Sequence, residues 1–288
     1  MNGIDIASHQ KEMDVTKVDA DFVIIKLTQG DYYVNPYFNK HYKEALKSNK
    51  LIGVYHYSNG LDFKKEADFF ISNLKPYIGN VIVCLDWESN GADLKSGFNK
   101  EFRANSEVDY VYNFTKYFKE NTGLFPFIYM SSSITRRSNW EKVAQNSPLW
   151  VAQYKNYDIT SYQENPYKDT KGLGAWKKEA IRQYTSCGSI RGYEQHLPHK
   201  LDLDKAYISK DEWILYTKPK IKSVDVNVII DVLNGKYGTG INRKEKLEKA
   251  GYIYSEVQGK VNEIFDLRNK YNEIKEKADE YLPLIIGG

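Results

Sequence analysis

Short apolar runs alternate with longer amphipathic stretches from Asn2 to about Tyr216, and this alternation limits the fold more than any other feature of the chain. The runs are rich in Ile, Val, Tyr and Phe, as expected for strands buried on both faces. They are Gly3–Ile6, Phe22–Leu27, Ile52–Tyr57, Val81–Leu85, Phe127–Tyr129, Leu149–Gln153 and Ala180–Tyr184. Intervals such as Asn105–Lys119 have helical spacing. Strands and helices in alternation predict a parallel α/β sheet, closed as a barrel or left open.

The pattern breaks at Thr217–Ser223, a short basic segment that contains a proline. Beyond it, Asp225–Leu233 is amphipathic, and capping-box-like sequences at Asn242 and Ser255 indicate the starts of two further helices. Three short helices predict a small bundle. We therefore expect three parts, namely a large α/β domain at 1–216, a linker at 217–222 and a helical module at 223–288.

The third predicted helix continues past the bundle with apolar residues at a and d heptad positions, a seam that only Lys260 interrupts. These residues are Val257, Ile264, Leu267, Tyr271, Ile274, Ala278 and Tyr281. One interpretation is a tail that packs back on its own protein. The other is a helix that pairs between chains and makes a homo-oligomer, although three heptads are barely enough for a coiled coil.

Two carboxylates follow directly on an apolar strand, where Val81–Leu85 leads into Asp86, Trp87 and Glu88. Because side chains alternate along a strand, Asp86 and Glu88 are expected on one face, ~6.6 Å apart along the chain. Two such groups titrate apart, since one ionises and raises the pKa of the other. Glycoside hydrolysis needs this division between an acid and an anion. A metal site and a charged loop start remain alternatives.

Further acids occur in similar surroundings. Asp5 lies inside the first apolar run, where a carboxylate is costly unless it has partners or a chemical role. Asp202 and Asp204 stand in the segment Leu201–Asp204. The sequence has no His/Cys cluster with metal-ligand spacing, no glycine loop that fits a phosphate and no G-x-S-x-G motif. We expect no metal and no cofactor.

Composition excludes several classes of partner. A net charge of +3 is too small to argue for nucleic acid, although it favours association with an anionic polymer. No apolar stretch approaches the ~18–20 residues that span a membrane. The start MNGIDIASHQ has neither the basic nor the apolar region of a signal peptide, so we expect synthesis in a cytoplasm without an export signal. Cys84 is expected as a reduced, buried thiol.

Several segments, taken together in order and spacing, resemble glycoside hydrolase family 25, the Chalaropsis-type lysozymes, over roughly residues 1–215. The segments are G-I-D-I-A-S-H-Q, V-I-I-K-L-T-Q-G, G-V-Y-H-Y, L-D-W-E, L-W-V-A-Q-Y, R-Q-Y and L-D-L-D. The resemblance implies an irregular TIM-like (β/α) barrel. It also implies hydrolysis of the β-1,4 bond between N-acetylmuramic acid and N-acetylglucosamine, without a cofactor.

The resemblance also assigns roles to residues. Glu88 corresponds to the general acid, and Asp86 to the group that orients the substrate's N-acetyl group or stabilises a cyclised intermediate formed from it. Asp5 and Asp202 correspond to acids that tune the pocket and bind sugar hydroxyls. Residues expected to line the groove, with plain packing as the alternative, are Tyr55, Tyr57, Tyr129, Trp150, Gln153 and Gln183.

The chain departs from the family pattern at three positions. Ala7 stands where the family usually has Ser, and Arg182 stands where many members have Trp. Asp204 stands where Asn is common, which leaves the choice of the fourth acid between Asp202 and Asp204 open.

The C-terminal stretch resembles one copy of the CW_7 (Cpl-7-like) wall-binding repeat, a three-helix bundle that binds muropeptide units. By analogy Tyr237, Gly238 and Arg243 are expected contacts, although the loop glycines also serve as helix stops. Together the two modules resemble a bacteriophage endolysin that reaches the peptidoglycan of a Gram-positive host through a holin. Two alternatives remain, namely another N-acetylhexosaminidase-type barrel and a non-catalytic cell-wall lectin.

Overall fold

A computed structural model describes residues 1–88, 104–194, 201–219, 222 and 224–286. The chain divides into two compact units, Met1–Pro219 and Lys220–Gly288. The expected linker at 217–222 spans this division. The side chain of Tyr281, which belongs to the predicted heptad seam, lies outside the described part.

The first unit is a closed barrel of eight strands, extended by one short hairpin strand. The strands are β1 (Asn2–Ile6), β2 (Phe22–Gln29), β3 (Tyr33–Val34), β4 (Leu51–Tyr57), β5 (Ile82–Asp86), β6 (Phe127–Ser131), β7 (Leu149–Ala152), β8 (Ile181–Gly188) and β9 (Leu201–Ala206). They follow the order β1-β9-β8-β7-β6-β5-β4-β2, and a parallel β1–β2 pairing closes the ring, with β3 on the edge of β2. This confirms the barrel that the sequence predicted.

One strand breaks the all-parallel pattern that the alternation of strands and helices predicted. β9 pairs antiparallel with both β1 and β8, whereas the other barrel pairs are parallel. No crossover helix lies in the described part of the β8–β9 connection. An antiparallel neighbour needs no such helix, because the chain can return directly alongside the strand it has just left.

Helices cover the outside of the barrel and one of its ends. Those of the first unit are α1 (Phe38–Lys47), α2 (Phe63–Leu74), α3 (Ala104–Thr122), α4 (Ser132–Arg137), α5 (Glu141–Ala144) and α6 (Lys210–Thr217). The predicted face of α3 is buried against the barrel at Val108, Val111 and Phe118. The outer core between strands and helices is built from Ile, Val, Leu and Phe side chains of both layers.

A second apolar cluster fills the inside of the barrel and closes its N-terminal end. Phe22 and Ile82 begin their strands there, and Trp213 of α6 packs on Phe22 with ring centroids 4.8 Å apart. The Trp213 indole donates a hydrogen bond to the Ile52 carbonyl at 3.4 Å. Since this end is filled by packed side chains, the opposite, C-terminal end of the parallel strands is left to hold polar groups.

The second unit contains α7 (Val226–Leu233), α8 (Gly240–Lys249) and α9 (Tyr254–Ile286). Its small core is formed by Val228, Val232, Leu247, Val257 and Val261. Asp225 caps α7, accepting hydrogen bonds from the backbone of the first turn.

Two predicted helix starts in this unit were wrong. α8 begins at Gly240 with Thr239 as its N-cap, so Asn242 lies inside the first turn. The chain can enter the helix earlier because Gly238 and Gly240 both adopt positive φ, 74° and 54°, which glycine accepts without strain. α9 likewise begins at Tyr254, one residue before Ser255.

The predicted heptad seam of α9 is buried only where it begins. Val257 is fully buried, whereas Ile264, Leu267, Tyr271 and Ile274 are between 38% and 68% exposed. The tail that continues past the bundle therefore leaves an apolar stripe on its surface.

Among the described residues, no helix is both long enough and apolar enough to cross a membrane. Cys84 and Cys187 are buried, free thiols, and for Cys84 this is the state expected from the sequence.

We predict that Gly3→Ala destabilises the barrel by about 1–3 kcal/mol, because overpacking forces neighbouring atoms aside. A Cβ at this position would lie 2.3 Å from the Phe22 ring. Chemical denaturation followed by tryptophan fluorescence measures this, since all five Trp residues lie in the first unit.

Gly259→Ala is the matched control, because a Cβ on this α9 residue meets no atom within 4 Å. It should leave the fluorescence transition unchanged. A Gly3→Ala protein as stable as the wild type would show that the end of the barrel is loosely packed.

Candidate active site

A cavity of about 190 Å³ opens at the C-terminal end of the parallel strands. It is lined by Asp5, Tyr55, Asp86, Glu88, Tyr129, Trp150, Tyr154, Gln183 and Asp202. Four of the five acids named from the sequence, all except Asp204, lie at this one cavity, together with four of the six side chains expected to line the groove.

The end of β5 presents Asp86 and Glu88 on the cavity side. Backbone hydrogen bonds hold this strand end on both flanks, from Ser58 N to the Asp86 carbonyl at 3.0 Å and from Trp87 N to the Tyr129 carbonyl at 2.9 Å. Trp87, between the two acids, points away from the cavity into the outer core. The alternation of a strand thus brings both carboxyls to one face.

Asp86 is a buried acid with an unsatisfied oxygen. Its side chain is 6% exposed, and its Oδ1 has no hydrogen-bond partner among the described residues. Burial raises the pKa of Asp86 well above its usual value, and the neighbouring Glu88 carboxyl raises it further. An unpartnered acceptor at a cavity wall is available to a donor on a bound ligand.

Lys26 of β2 acts against this rise, because its positive charge lowers the pKa of Asp86. Its own pKa is lowered by burial, while Asp86 and Glu88 act in the opposite direction. The ammonium donates a hydrogen bond to Gln29 at 2.6 Å and lies over the Tyr57 ring, 4.7 Å from its centroid. Tyr57 therefore contacts Lys26, which lies next to the acids, and does not itself line the cavity.

Asp5 belongs to a hydrogen-bonded group at the opposite wall. Gln183 donates to Asp5 Oδ2 at 2.7 Å and accepts from the hydroxyls of Tyr129, at 2.8 Å, and Tyr154. Burial raises the pKa of Asp5 to about 6, although the Gln183 hydrogen bond lowers it. Gln183 therefore fixes the positions of one acid and two phenols at once.

Asp202 and Asp204 face the barrel interior at different depths. Asp202 lies at the cavity and is partly exposed, whereas Asp204 is fully buried and receives a hydrogen bond from Trp150 Nε1 at 2.8 Å. Both therefore face inward, as alternate residues of one strand must. The sequence left open which of the two is the fourth acid of the site. In the structure Asp202 lies where it can contact a ligand, whereas Asp204 does not line the cavity.

The aromatic residues at this site pack on one another. The Trp150 ring stands edge-on to Tyr129 and to Tyr55, with centroid separations of 4.6 and 6.3 Å. All three side chains are at most 9% exposed. These rings therefore form the floor of the cavity and do not offer an open face on which a sugar ring could stack.

A second, wider groove of about 510 Å³ adjoins the cavity on the side of Glu88. It is lined by Glu88, Tyr129, Ser131, Ser132, Ile134, Ala152, Gln153, Tyr154, Lys155, Asn156, Tyr157, Tyr167 and Asp169. Most of these residues come from the loops after β6 and β7. An elongated substrate that reaches Glu88 has room to continue along this groove.

Gln153, expected to line the groove, also holds the groove wall together. Its amide oxygen accepts hydrogen bonds from Arg182 at 2.7 Å and from Asp169 N at 3.2 Å. Arg182 is fully buried and also pairs with Glu179 at 3.2 Å. The departure from the family pattern at Arg182 thus has a structural role, since the guanidinium also donates a hydrogen bond to the Tyr167 carbonyl in the connection between β7 and β8, at 3.3 Å.

Sequence reasoning missed two residues of the site. Lys26 was overlooked, although it is a charged residue inside an apolar run, which is the same feature that drew attention to Asp5. Tyr154 directly follows Gln153 in a segment already noted, but nothing in the sequence indicates its hydrogen bond to Gln183. Within the described ranges, no group of three or more His, Cys, Asp and Glu side chains is arranged to hold a metal ion.

In the second unit, the three residues expected to contact the wall lie close together around one loop. Arg243 donates hydrogen bonds to the Gly238 carbonyl at 2.8 Å and to Gln258 at 3.0 Å. Tyr237 is partly buried against the small core. Arg243 therefore connects the glycine-rich loop to α9.

Comparisons with known proteins agree with this architecture. The sequence model of Glycosyl hydrolases family 25 matches residues 4–193, and that of the CW_7 repeat matches residues 227–265. The fold is similar to that of a bacterial lysozyme from Streptomyces coelicolor, with a TM-score of 0.61 and 22% identity over 75% of this chain and 96% of that one.

Two relatives align with this chain over more than two thirds of both sequences. N,O-diacetylmuramidase of Chalaropsis sp is 30% identical over 219 residues, which cover 70% of this chain and 96% of that enzyme. Lysozyme of Streptococcus phage Cp-7 is 25% identical over 272 residues, which cover 91% of this chain and 69% of that protein.

The uncharacterised protein YegX of Escherichia coli is 28% identical over 201 residues. The match spans 67% of this chain and 65% of YegX, less than two thirds of the length of that relative. The resemblance inferred from the sequence is thus confirmed: the chain belongs to glycosyl hydrolases family 25 and contains a CW_7 repeat.

Proposed function

We propose that the protein is a cell-wall muramidase that hydrolyses the β-1,4 bond between N-acetylmuramic acid and N-acetylglucosamine. The observation that carries this proposal is the cavity at which Asp86 and Glu88 face Asp5 and Asp202. The activity named for the Chalaropsis relative, N,O-diacetylmuramidase, supports it.

In this proposal Glu88 is the general acid. It stands between the cavity and the wider groove, so it can reach a glycosidic oxygen that joins a sugar in one to a sugar in the other. Its proton passes to that oxygen as the C1–O bond breaks, which releases the leaving sugar as an alcohol.

Asp86 then acts on the N-acetyl group of the sugar that stays behind. Its unpartnered Oδ1 accepts a hydrogen bond from the acetamido N–H and turns the acetyl oxygen towards C1, where a bond forms as the old one breaks. Water subsequently opens this ring at C1 and returns a proton to Glu88. Asp5 and Asp202 bind sugar hydroxyls and stabilise the positive charge that develops at C1.

Turbidity loss of purified Gram-positive cell walls tests the proposal. We expect lysis of walls and no hydrolysis of chitin. Binding without lysis would favour a cell-wall lectin, and hydrolysis of chitin would favour another hexosaminidase.

We further infer that the protein is a bacteriophage endolysin that acts on a Gram-positive host after release through a holin. The phage Cp-7 lysozyme, which aligns over both units, supports this role. In this view residues 1–216 form the catalytic domain, 217–222 the linker and 223–288 the wall-binding module. The module keeps the enzyme on peptidoglycan through Tyr237, Gly238 and Arg243.

Glu88→Gln is predicted to lower the rate of wall lysis by roughly 10²–10⁴-fold while wall binding survives, because the amide cannot donate the proton. Glu141→Gln, an exposed substitution on α5, is the matched control and should lyse at the wild-type rate. Near-normal lysis by Glu88→Gln would remove this residue from the mechanism.

Lys26→Met is predicted to shift the acidic limb of the pH–activity profile to higher pH. Lys26 lowers the pKa of Asp86, so without Lys26 this carboxyl keeps its proton to higher pH. Because the proposed reaction needs Asp86 ionised, activity is then lost at a higher pH as the solution is acidified. The measurement is the initial rate of reducing-end release as a function of pH.

Lys26→Arg keeps the charge and should keep the limb where the wild type has it. If Lys26→Met and Lys26→Arg give the same profile, the charge of Lys26 does not set the ionisation of Asp86.

Arg243→Ala is predicted to weaken binding of the full chain to cell walls by about tenfold, because the guanidinium both holds the loop and has donors left for a ligand. Co-sedimentation with walls measures it, using the Glu88→Gln background so that walls stay intact. Arg191→Ala, an exposed change in the first unit, is the control. Equal binding by both variants would exclude Arg243 as a contact.

We also propose that α9 pairs with its counterpart in a second copy of the chain and so multiplies the wall-binding sites. The exposed stripe from Ile264 to Ile274 supports this, as do Glu263 and Arg268, which flank the seam with opposite charges.

Sedimentation of the full chain at tens of micromolar is expected to give more than the monomer mass, and the double variant Leu267→Glu/Ile274→Glu to give a monomer. A wild-type monomer at that concentration contradicts the pairing and leaves the other proposals intact.

A further inference from the structure

Asp204 is an acid that the proposed reaction does not use. It lies on β9, two residues beyond Asp202 and deeper in the barrel, and its side chain is fully buried. Its Oδ1 accepts the 2.8 Å hydrogen bond from Trp150 Nε1. It is absent from the residues that line the cavity, so it does not meet a ligand directly.

The second oxygen of Asp204 has an unusual neighbour. No described residue donates a hydrogen bond to the buried Oδ2, and the Asp5 carboxyl lies close enough to raise the pKa of Asp204 as a hydrogen-bonding neighbour. In the antiparallel β1–β9 register, Asp5 stands opposite Asp202 and therefore diagonal to Asp204. Ionised carboxylates only accept hydrogen bonds, so two of them can share one only if a proton lies between them.

The surroundings decide which of the two holds this proton. Asp5 receives a hydrogen bond from Gln183 and has a pKa of about 6. Burial raises the pKa of Asp204 well above its usual value, and the charges of Asp5 and Asp202 raise it further, with only Trp150 acting in the opposite direction among the main causes. The Gln183 hydrogen bond therefore favours the negative charge on Asp5, and burial favours the proton on Asp204.

The residues that hydrogen-bond to Asp204, pair with it in the sheet or interact with it electrostatically come from several strands and loops, and none of the following is positively charged. They are Asp5 on β1, Cys84 on β5, Trp150 on β7, Gln183 and Tyr184 on β8, Asp202 on β9, and Tyr154 and Tyr162 in the loop after β7.

We propose that Asp204 is a neutral positioning residue whose protonated carboxyl donates a hydrogen bond to Asp5 and holds it in place as an anion beside the cavity. The proposal rests on the proposed role of Asp5 in the muramidase site. It also explains the departure from the family pattern, since a protonated Asp and an Asn have nearly the same shape. Either one offers an oxygen to Trp150 and a donor to Asp5.

A buried acid of this kind makes stability depend on pH with a definite sign. Below about pH 4 Asp204 is protonated in both folded and unfolded chains and has no effect. As the pH rises, the unfolded chain gains stability by losing the proton while the folded chain retains it. The folded state therefore loses stability from about pH 4 upward, until the pH passes the pKa of Asp204 in the folded state.

Asp204→Asn tests this through the thermal unfolding temperature, which needs no substrate. The unfolding temperature of the variant relative to the wild type should rise by about 3 °C or more as the pH increases from about 4, because the amide has no proton to retain. Asp211→Asn, an exposed change on α6, is the matched control, and its difference from the wild type should not vary over this range. A pH-independent difference for Asp204→Asn would overturn the proposal.

Asp204→Ala separates proton donation from space filling. It leaves the Trp150 N–H without an acceptor and Asp5 without a donor, so it should unfold at lower temperature than Asp204→Asn at every pH. In wall lysis, Asp204→Asn should keep the rate within about threefold, whereas Asp204→Ala should lose about tenfold or more. Equal loss in both variants would show that the donor to Asp5 is not needed.

Infrared spectroscopy observes the proton itself and does not depend on activity. The wild type should show the carbonyl stretch of a protonated carboxylic acid at neutral pH, and Asp204→Asn should lack that component. If Asp204→Asn does not fold, Asp5→Asn replaces it, because the introduced amide can donate to an ionised Asp204 and should also diminish the band. An unchanged band contradicts the proposal, while inactive protein with the expected band contradicts only the muramidase function.

Discussion

Electrostatic repulsion among five carboxyl groups at one end of an apolar barrel is the constraint on which the site depends. The charge of Asp5 raises the pKa of Asp86, Asp202 and Asp204, and the charge of Glu88 raises the pKa of Asp86 and Asp202, in a region from which water is largely excluded. A cluster of this kind cannot ionise completely, because each charge raises the pKa of the others. The fold must therefore supply hydrogen-bond donors, positive charge or retained protons.

Each of these three solutions has a place in the structure. Gln183 and Trp150 donate hydrogen bonds to Asp5 and Asp204. Lys26 supplies positive charge next to Asp86. The pair of Asp5 and Asp204 keeps a proton. The result is a gradient from Asp204, deep in the barrel, to the acids that line the cavity.

Much of this was predictable from the sequence. The apolar runs located seven of the eight barrel strands, all but β9, and the i, i+2 spacing of Asp86 and Glu88 placed both on one face. What the sequence could not indicate were contacts between distant segments. The hydrogen bonds of Gln183 to Asp5 and to Tyr154 join strands or loops far apart in the chain, and the antiparallel course of β9 depends on a connection without helical spacing. The start of α8 was wrong because two glycines with positive φ allow the helix to begin before the apparent cap.

We propose that this barrel cuts the bond between N-acetylmuramic acid and N-acetylglucosamine, and the mass of the fragments released from a purified Gram-positive wall tests this most directly. Muramidase action predicts disaccharides whose reducing end is N-acetylmuramic acid, identified by mass after borohydride reduction. Fragments with N-acetylglucosamine at the reducing end, or free stem peptides with intact glycan, would contradict the account.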